Sequence, residues 1–179
     1  MRRLALLVAL LAAAAGVADA RCRCHKVRPP RCTDPAALHR ITVDIDFAVT
    51  DGGVEVITQS GPYRLPAADL DGKLVFFLFT RRGVVFQGFI EDAVSVSVGT
   101  MKGTQASIAT NAVFAPGEYE LALFIDVVPL SGGGGIGPQR GDLAAFDNTV
   151  CDPTGVTVRV PVGCEDATVR LENRHFIVF

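Results

Sequence analysis

The residues best equipped for chemistry in this chain are its five cysteines, three of which stand close together as Cys22, Cys24 and Cys32. Arg21, Arg23, His25, Lys26, Arg28 and Arg31 surround them. Thiolates and an imidazole are zinc-ligand types. However, Cys22-x-Cys24-His25 does not have knuckle spacing, and haem attachment needs two residues between the cysteines. No metal and no cofactor is therefore expected. In an oxidising compartment disulfides are the default. Cys151 and Cys164 flank a short strand and can close a local loop, while Cys24 or Cys22 can pair with Cys32 and pin the arm. Five cysteines leave one over, either free or available for a disulfide-linked dimer. The basic run offers a surface for anionic lipid or polysaccharide, and a solvated tail held by a disulfide accounts for it more simply.

Other candidate motifs lie further along. Arg140-Gly141-Asp142 spells the tripeptide that integrins read. Adhesion needs an exposed Arg and Asp on a mobile tip, which a glycine-rich loop over residues 129–142 is expected to supply. Gly132-Gly133-Gly134-Gly135-Ile136-Gly137 contains G-x-G-x-x-G, but Pro138 follows and no βαβ unit surrounds it, so the run reads as loop. Asp69-Leu70-Asp71-Gly72 is a fragment of a calcium loop in which Lys73 takes the next ligand place, so a turn is expected. Asp44 and Asp46 share a strand face, and Asp147, Asn148 and Asp152 cluster before a strand; solvated faces and Asx turns account for both sets. No spacing pairs a nucleophile with His25, His39 or His175, and no two facing carboxylates stand out for glycoside cleavage, so a catalytic set cannot be named.

The elements that must hold these residues begin after an apolar leader. Arg2 and Arg3 precede an uninterrupted apolar run from Leu4 to Ala15, then Gly16 and the small-x-small triplet Ala18-Asp19-Ala20. That order predicts a secretory signal peptide over residues 1–20. The run is shorter than the ~20 residues a membrane helix requires, and no second one occurs, so the mature chain is expected to have no transmembrane helix. Arg21 before Cys22 argues against a lipid-attachment signal. The chain of 179 residues carries net charge −2. Loss of Arg2, Arg3 and Asp19 brings it to about −3, which excludes a whole-protein basic field drawing it to nucleic acid.

After a basic, cysteine-containing arm over residues 21–40, the pattern is β. Asp34 and Pro35 suit the start of one helical turn. Ile41, Val43, Ile45, Phe47 and Val49 alternate with less apolar residues, as in a half-buried strand. Asp51-Gly52-Gly53 predicts a hairpin turn into Val54–Gln59. Residues 60–72 read as loop. Lys73–Thr80 is apolar on both faces and suits a central strand covered on each side. Further strands are expected at 84–90, around Val94, Val96 and Val98, at 105–114, 118–128, 155–162, 168–172 and 175–179, with one helical turn at 143–146. This makes residues 41–179 one all-β domain, an antiparallel β-sandwich.

One stretch carries a family resemblance. Ala115-Pro116-Gly117-Glu118-Tyr119-Glu120-Leu121-Ala122-Leu123 resembles the corner entering a late strand in immunoglobulin-like and transthyretin-like sandwiches. That likeness implies that Tyr119 packs in the core while its hydroxyl bonds backbone near the corner. It implies a fold and no activity. A rival fold is a small outer-membrane barrel. The chain ends in a strand with Phe179 last, and the mature length suits eight strands. Against it, Lys73–Thr80 does not alternate, Asn173 and His175 interrupt the last strand, and Tyr and Trp are scarce.

The leading expectation is an exported, non-enzymatic sandwich, secreted or periplasmic, that binds a protein or polysaccharide at the cell envelope or outside the cell. It would do so through the 129–142 loop or the basic arm; the alternatives are the small outer-membrane barrel and an enzyme or metal-binding protein of unknown substrate. Intact mass of the exported protein, measured without reductant after thiol blocking, is expected to show a chain starting at Arg21 with two disulfides and one blocked thiol. A zinc-sized increment would overturn this cysteine assignment.

Overall fold

A computed structural model describes residues 32–34, 36–58, 61–81, 94–128, 139–146 and 158–178. The expected strand at 84–90, the glycine run at 132–137, most of the basic arm, and Cys22, Cys24 and Cys151 lie outside these residues. Twelve strands are described: β1 (Ile41–Asp46), β2 (Val49–Thr50), β3 (Gly53–Thr58), β4 (Gly61–Pro66), β5 (Leu74–Arg81), β6 (Ser95–Thr100), β7 (Gln105–Ala109), β8 (Gly117–Asp126), β9 (Leu143–Ala145), β10 (Val158–Val162), β11 (Ala167–Leu171) and β12 (Phe176–Val178). No helix among the described residues is long and apolar enough to cross a membrane.

The strands form two sheets. The smaller has the order β11-β1-β7; the larger runs β2-β3-β12-β9-β8-β5-β6, with β4 beside β3 and β10 beside β8. Period-two patterning explains how they join. Ile41, Val43 and Ile45 of β1 are buried, as are Val75, Phe77 and Phe79 of β5 and Tyr119, Leu121, Leu123 and Ile125 of β8, all in one apolar cluster. Full burial of each such side chain contributes roughly 1.5–3 kcal/mol. Phe114 packs on the aromatics of the larger sheet, its ring centroid 5.1 Å from both Phe79 and Tyr119 in edge-on geometry. The Tyr119 hydroxyl donates to the Ala115 carbonyl at 2.9 Å, so the corner is tied as its sequence implies.

The all-β expectation stands, but the sheets are mixed rather than antiparallel. β1 runs parallel to β11 and β12 parallel to β3. These parallel pairs and the apolar interior differ from the antiparallel wall and polar lumen of an outer-membrane barrel. The Asp51-Gly52 hairpin joins β2 to β3, with φ of 48° and 74° at the two turn residues, as a two-residue loop demands. β1 itself belongs to the other sheet. Residues 61–66, expected as loop, are strand β4. It pairs with β3 alone, and Pro62 and Pro66 are tolerated because a strand with one partner need not donate on its free side. Leu143–Ala145, expected as a helical turn, is a strand because it fills a place between β8 and β12. Asp34 caps no helix. Its carboxylate accepts the Ala36 amide at 2.9 Å in an Asx turn. β5 is central, between β6 and β8, but only one of its faces lies in the core; Leu74 is exposed, and Phe76 and Leu78 are half-buried.

The cysteine pairing also differs from expectation. Cys32 bonds Cys164, 132 residues away, with Cα atoms 5.2 Å apart. Neither local pairing forms at these two residues. The chain after Cys32 is drawn alongside the start of β11: His39 and Phe114 exchange backbone hydrogen bonds, the Arg40 amide donates to Asp166 Oδ1 at 2.8 Å, and the Ala167 amide donates to the Arg40 carbonyl. Those contacts carry Cys32 towards Cys164. Closing so long a loop restricts the unfolded chain by about 5 kcal/mol in the chain-entropy description. Replacing Cys32 and Cys164 together by Ser is expected to lower the unfolding free energy by about that amount, read from urea denaturation without reductant. An unchanged midpoint would show that the bond contributes nothing.

Candidate functional site

The smaller sheet buries its inner face and turns a polar one outward. Asp44 lies in register with Arg170 on β11 and with Ser107 on β7, and Asp46 lies opposite Gln105. The pairs are bonded: Ser107 Oγ donates to Asp44 Oδ1 at 2.6 Å, and Gln105 Nε2 donates to Asp46 Oδ1 at 2.8 Å. Each carboxylate is thereby held in one orientation by a neighbouring strand. Here a cavity of about 610 Å³ opens, lined also by Thr100, Lys102 and Glu172. A second hollow of about 380 Å³ shares Asp46 and Glu172 and continues past Asn173 to Arg174. Together they make an open groove with carboxylates and cations interspersed, of ligand-site size. Glu172 and Arg174 are 3.6 Å apart, both on the surface.

Asp44 and Asp46 were visible in the sequence as residues sharing a strand face. Their partners Gln105, Ser107 and Arg170 were not, because three segments far apart in sequence meet here. The only sequence signal was the outward, polar phase of each strand. The two aspartates stand side by side on one strand, about 7 Å apart along it. They do not face each other across the groove.

The other candidates fare differently. Asp142 is 1% exposed, which removes it from any adhesive role. Its Oδ1 accepts the amides of Val127 and Val128, each at 3.0 Å, and its Oδ2 accepts the amide of Gln139 at 2.7 Å. The carboxylate thus closes the chain back onto the end of β8. Gly141 has φ of 103°, a conformation that glycine adopts without strain. Arg140 alone of the triplet is exposed. The Arg-Gly-Asp order is explained by a buried carboxylate and a turn. Cys32 is committed to a disulfide and so is not a zinc thiolate. Among the described residues no group of three or more His, Cys, Asp or Glu is placed to hold a metal. Asp71, from the calcium-like fragment, accepts the Gly103 amide at 2.6 Å and serves a turn. Arg21, Arg23, Lys26, Arg28 and Arg31 lie outside the described residues.

Comparison with known protein families, with curated proteins and with solved structures finds no match to this chain.

Replacing Asp142 by Ala strands three backbone amides and is expected to destabilise the fold by about 3 kcal/mol or more. Urea denaturation checks this, and cell-adhesion assays are expected to show no difference between the two proteins. Wild-type stability for the variant would return Asp142 to the surface.

Proposed function

We propose that this chain is an exported, non-enzymatic binding module that acts in the periplasm or outside the cell. Its fold is taken as an immunoglobulin-like or transthyretin-like β-sandwich, and its ligand as a polysaccharide segment lying along the groove of the smaller sheet. The observation that carries this reading is the pair of cross-strand hydrogen bonds that fix Asp44 and Asp46 beside Arg170 and Lys102. Sugar hydroxyls both donate and accept, so they are matched by carboxylates, amides and guanidinium groups held at set spacings. Preset orientation reduces the entropy lost on binding. The groove is open and made of two adjoining hollows, which suits successive units of a chain-like ligand more than an enclosed small molecule.

Support for the fold comes from the Tyr119 corner and the shared core. Support for an oxidising destination comes from the leader-like first 20 residues and the Cys32–Cys164 bond. The basic arm remains a second contact for acidic polymer, and a protein partner is the other class of ligand the reading admits.

Affinity electrophoresis through gels cast with soluble neutral and anionic polysaccharides tests this proposal. At least one polymer is expected to retard the wild-type chain. The double variant Asp44→Ala, Arg170→Ala is expected to lose at least tenfold in affinity, about 1.4 kcal/mol, with unchanged circular dichroism. Equal retardation of both proteins, or none with any polymer, rejects the groove as the site.

A further inference from the structure

Beyond Asp46 the wall of the groove is a single 3-10 turn, Asn173–His175, entered from β11 through Glu172. Two kinds of bond hold it. The Asn173 side-chain amide donates to the carbonyls of Ala48 and Glu55 at 3.1 and 3.0 Å, and its oxygen accepts the Ala48 amide at 2.8 Å. The Phe146 amide donates to the His175 carbonyl at 2.8 Å. Amides and carbonyls do not titrate, so this part of the turn is fixed at any ordinary pH. Glu172 is held differently. Its amide donates to Nδ1 of His175 at 2.9 Å, closing the turn back on the residue that opens it, as in a capping box.

The residue in this place of a capping box is ordinarily Glu or Gln, whose oxygen still accepts at neutral pH. An imidazole accepts only while neutral, and its charge ordinarily changes between about pH 5 and 8. Because an amide N–H can only donate, Nδ1 carries the lone pair here and Nε2 the hydrogen. Protonation places a hydrogen on Nδ1, aimed at the Glu172 N–H. Two donors then meet and the bond is lost. No ion pair replaces it. The charged groups around the ring are Glu172 and Arg174 of its own turn, Glu55 on β3, which packs against the turn, and Asp46 of β1, which lines the same hollow. Neither β9 nor β12 carries a charged side chain. Among the described residues no carboxylate pairs with His175; Glu172 lies 3.6 Å from Arg174 instead.

We propose that His175 is a pH-dependent latch on the groove. The neutral ring holds Glu172 in place and the protonated ring releases it, so the site keeps its ligand near neutral pH and lets it go in acid. This rests on the groove as the ligand site and adds the condition under which that site is set. Glu172 lines both hollows, so its orientation matters to the whole groove. His175 lines neither, and is therefore a positioning residue that acts through Glu172. The sign follows from the bond: only the neutral ring accepts, so acid depletes the latched form.

NMR of the nitrogen-labelled mature chain, titrated from about pH 7.5 to about pH 5, tests the latch, with affinity electrophoresis in dextran and alginate gels at both ends of that range. The Glu172 amide signal is expected to move together with the His175 ring nitrogens. The polymer that retards the chain near neutrality is expected to bind it about threefold or more weakly in acid, the scale of one net hydrogen bond. His175→Gln supplies an acceptor that does not titrate, so it is expected to bind as wild type near neutrality and to lose both pH dependences. His175→Ala is expected to bind weakly at both ends. Circular dichroism checks that each variant folds, and the wild-type titration needs no variant. A Glu172 amide that stays still while His175 titrates overturns the proposal. So does a His175→Gln chain with the wild-type pH profile, which assigns the effect to His25, His39 or the groove carboxylates. No retardation by either polymer near neutrality rejects the groove reading. The amide titration then separates the two failures, since a responding amide leaves the latch standing and a silent one removes it too.

Discussion

The register of β8 sets most of this structure. It is the longest described strand, and it pairs with β5 along nearly its whole length, with β10 at its start and with β9 near its end. Its inner positions Tyr119, Leu121, Leu123 and Ile125 fill the core, and its outer positions include Ala122 and Phe124. Because the side-chain period is two, a slip of one residue would exchange these sets and take β5 and β10 with it. The Tyr119 hydroxyl, tied to the Ala115 carbonyl, fixes the phase at the entrance to the strand. The carboxylate of Asp142 fixes the other end by binding the two amides that follow it. A bond at each end of one strand thus maintains the inside and outside of three.

What the sequence disclosed follows from how local each signal is. The alternation at Ile41–Asp46, the hairpin at Asp51-Gly52 and the Tyr119 corner are contained in a few residues, and each appears where expected. The parallel pairing of β1 with β11 and the bond between Cys32 and Cys164 are not local. Both join segments more than 120 residues apart, which no periodicity encodes. Leu143–Ala145 looked helical because three residues are too few to show a period, and its place between two strands decided the matter. The Arg-Gly-Asp triplet misled for a related reason. Composition suggested an exposed tip, whereas the position of Asp142 beside free amides at a strand end determined its role. Of the groove, only Asp44 and Asp46 were legible, since their partners arrive from strands that sequence distance separates.

The two outer surfaces have opposite chemistry. The smaller sheet alternates apolar inside with polar outside, so its outer face is wet and hydrogen-bonded across strands. The larger sheet is apolar on both faces over its centre. The groove reaches the boundary between them, since Thr100 at the end of β6 lines it beside Asp44 and Asp46.

The strand order also governs when the molecule can exist. β1 is the central strand of its sheet, yet its neighbours are β7, centred some 60 residues later, and β11, made more than 120 residues later. At synthesis rates of ~5–20 residues per second, roughly ten seconds pass between the emergence of β1 and of β11. Throughout that interval β1 lacks one of the two strands that complete its sheet. Such non-local pairing slows folding and makes completion of this sheet wait for β11. A chain that must be threaded through a narrow channel before it folds would benefit from that delay, because its topology itself postpones compaction.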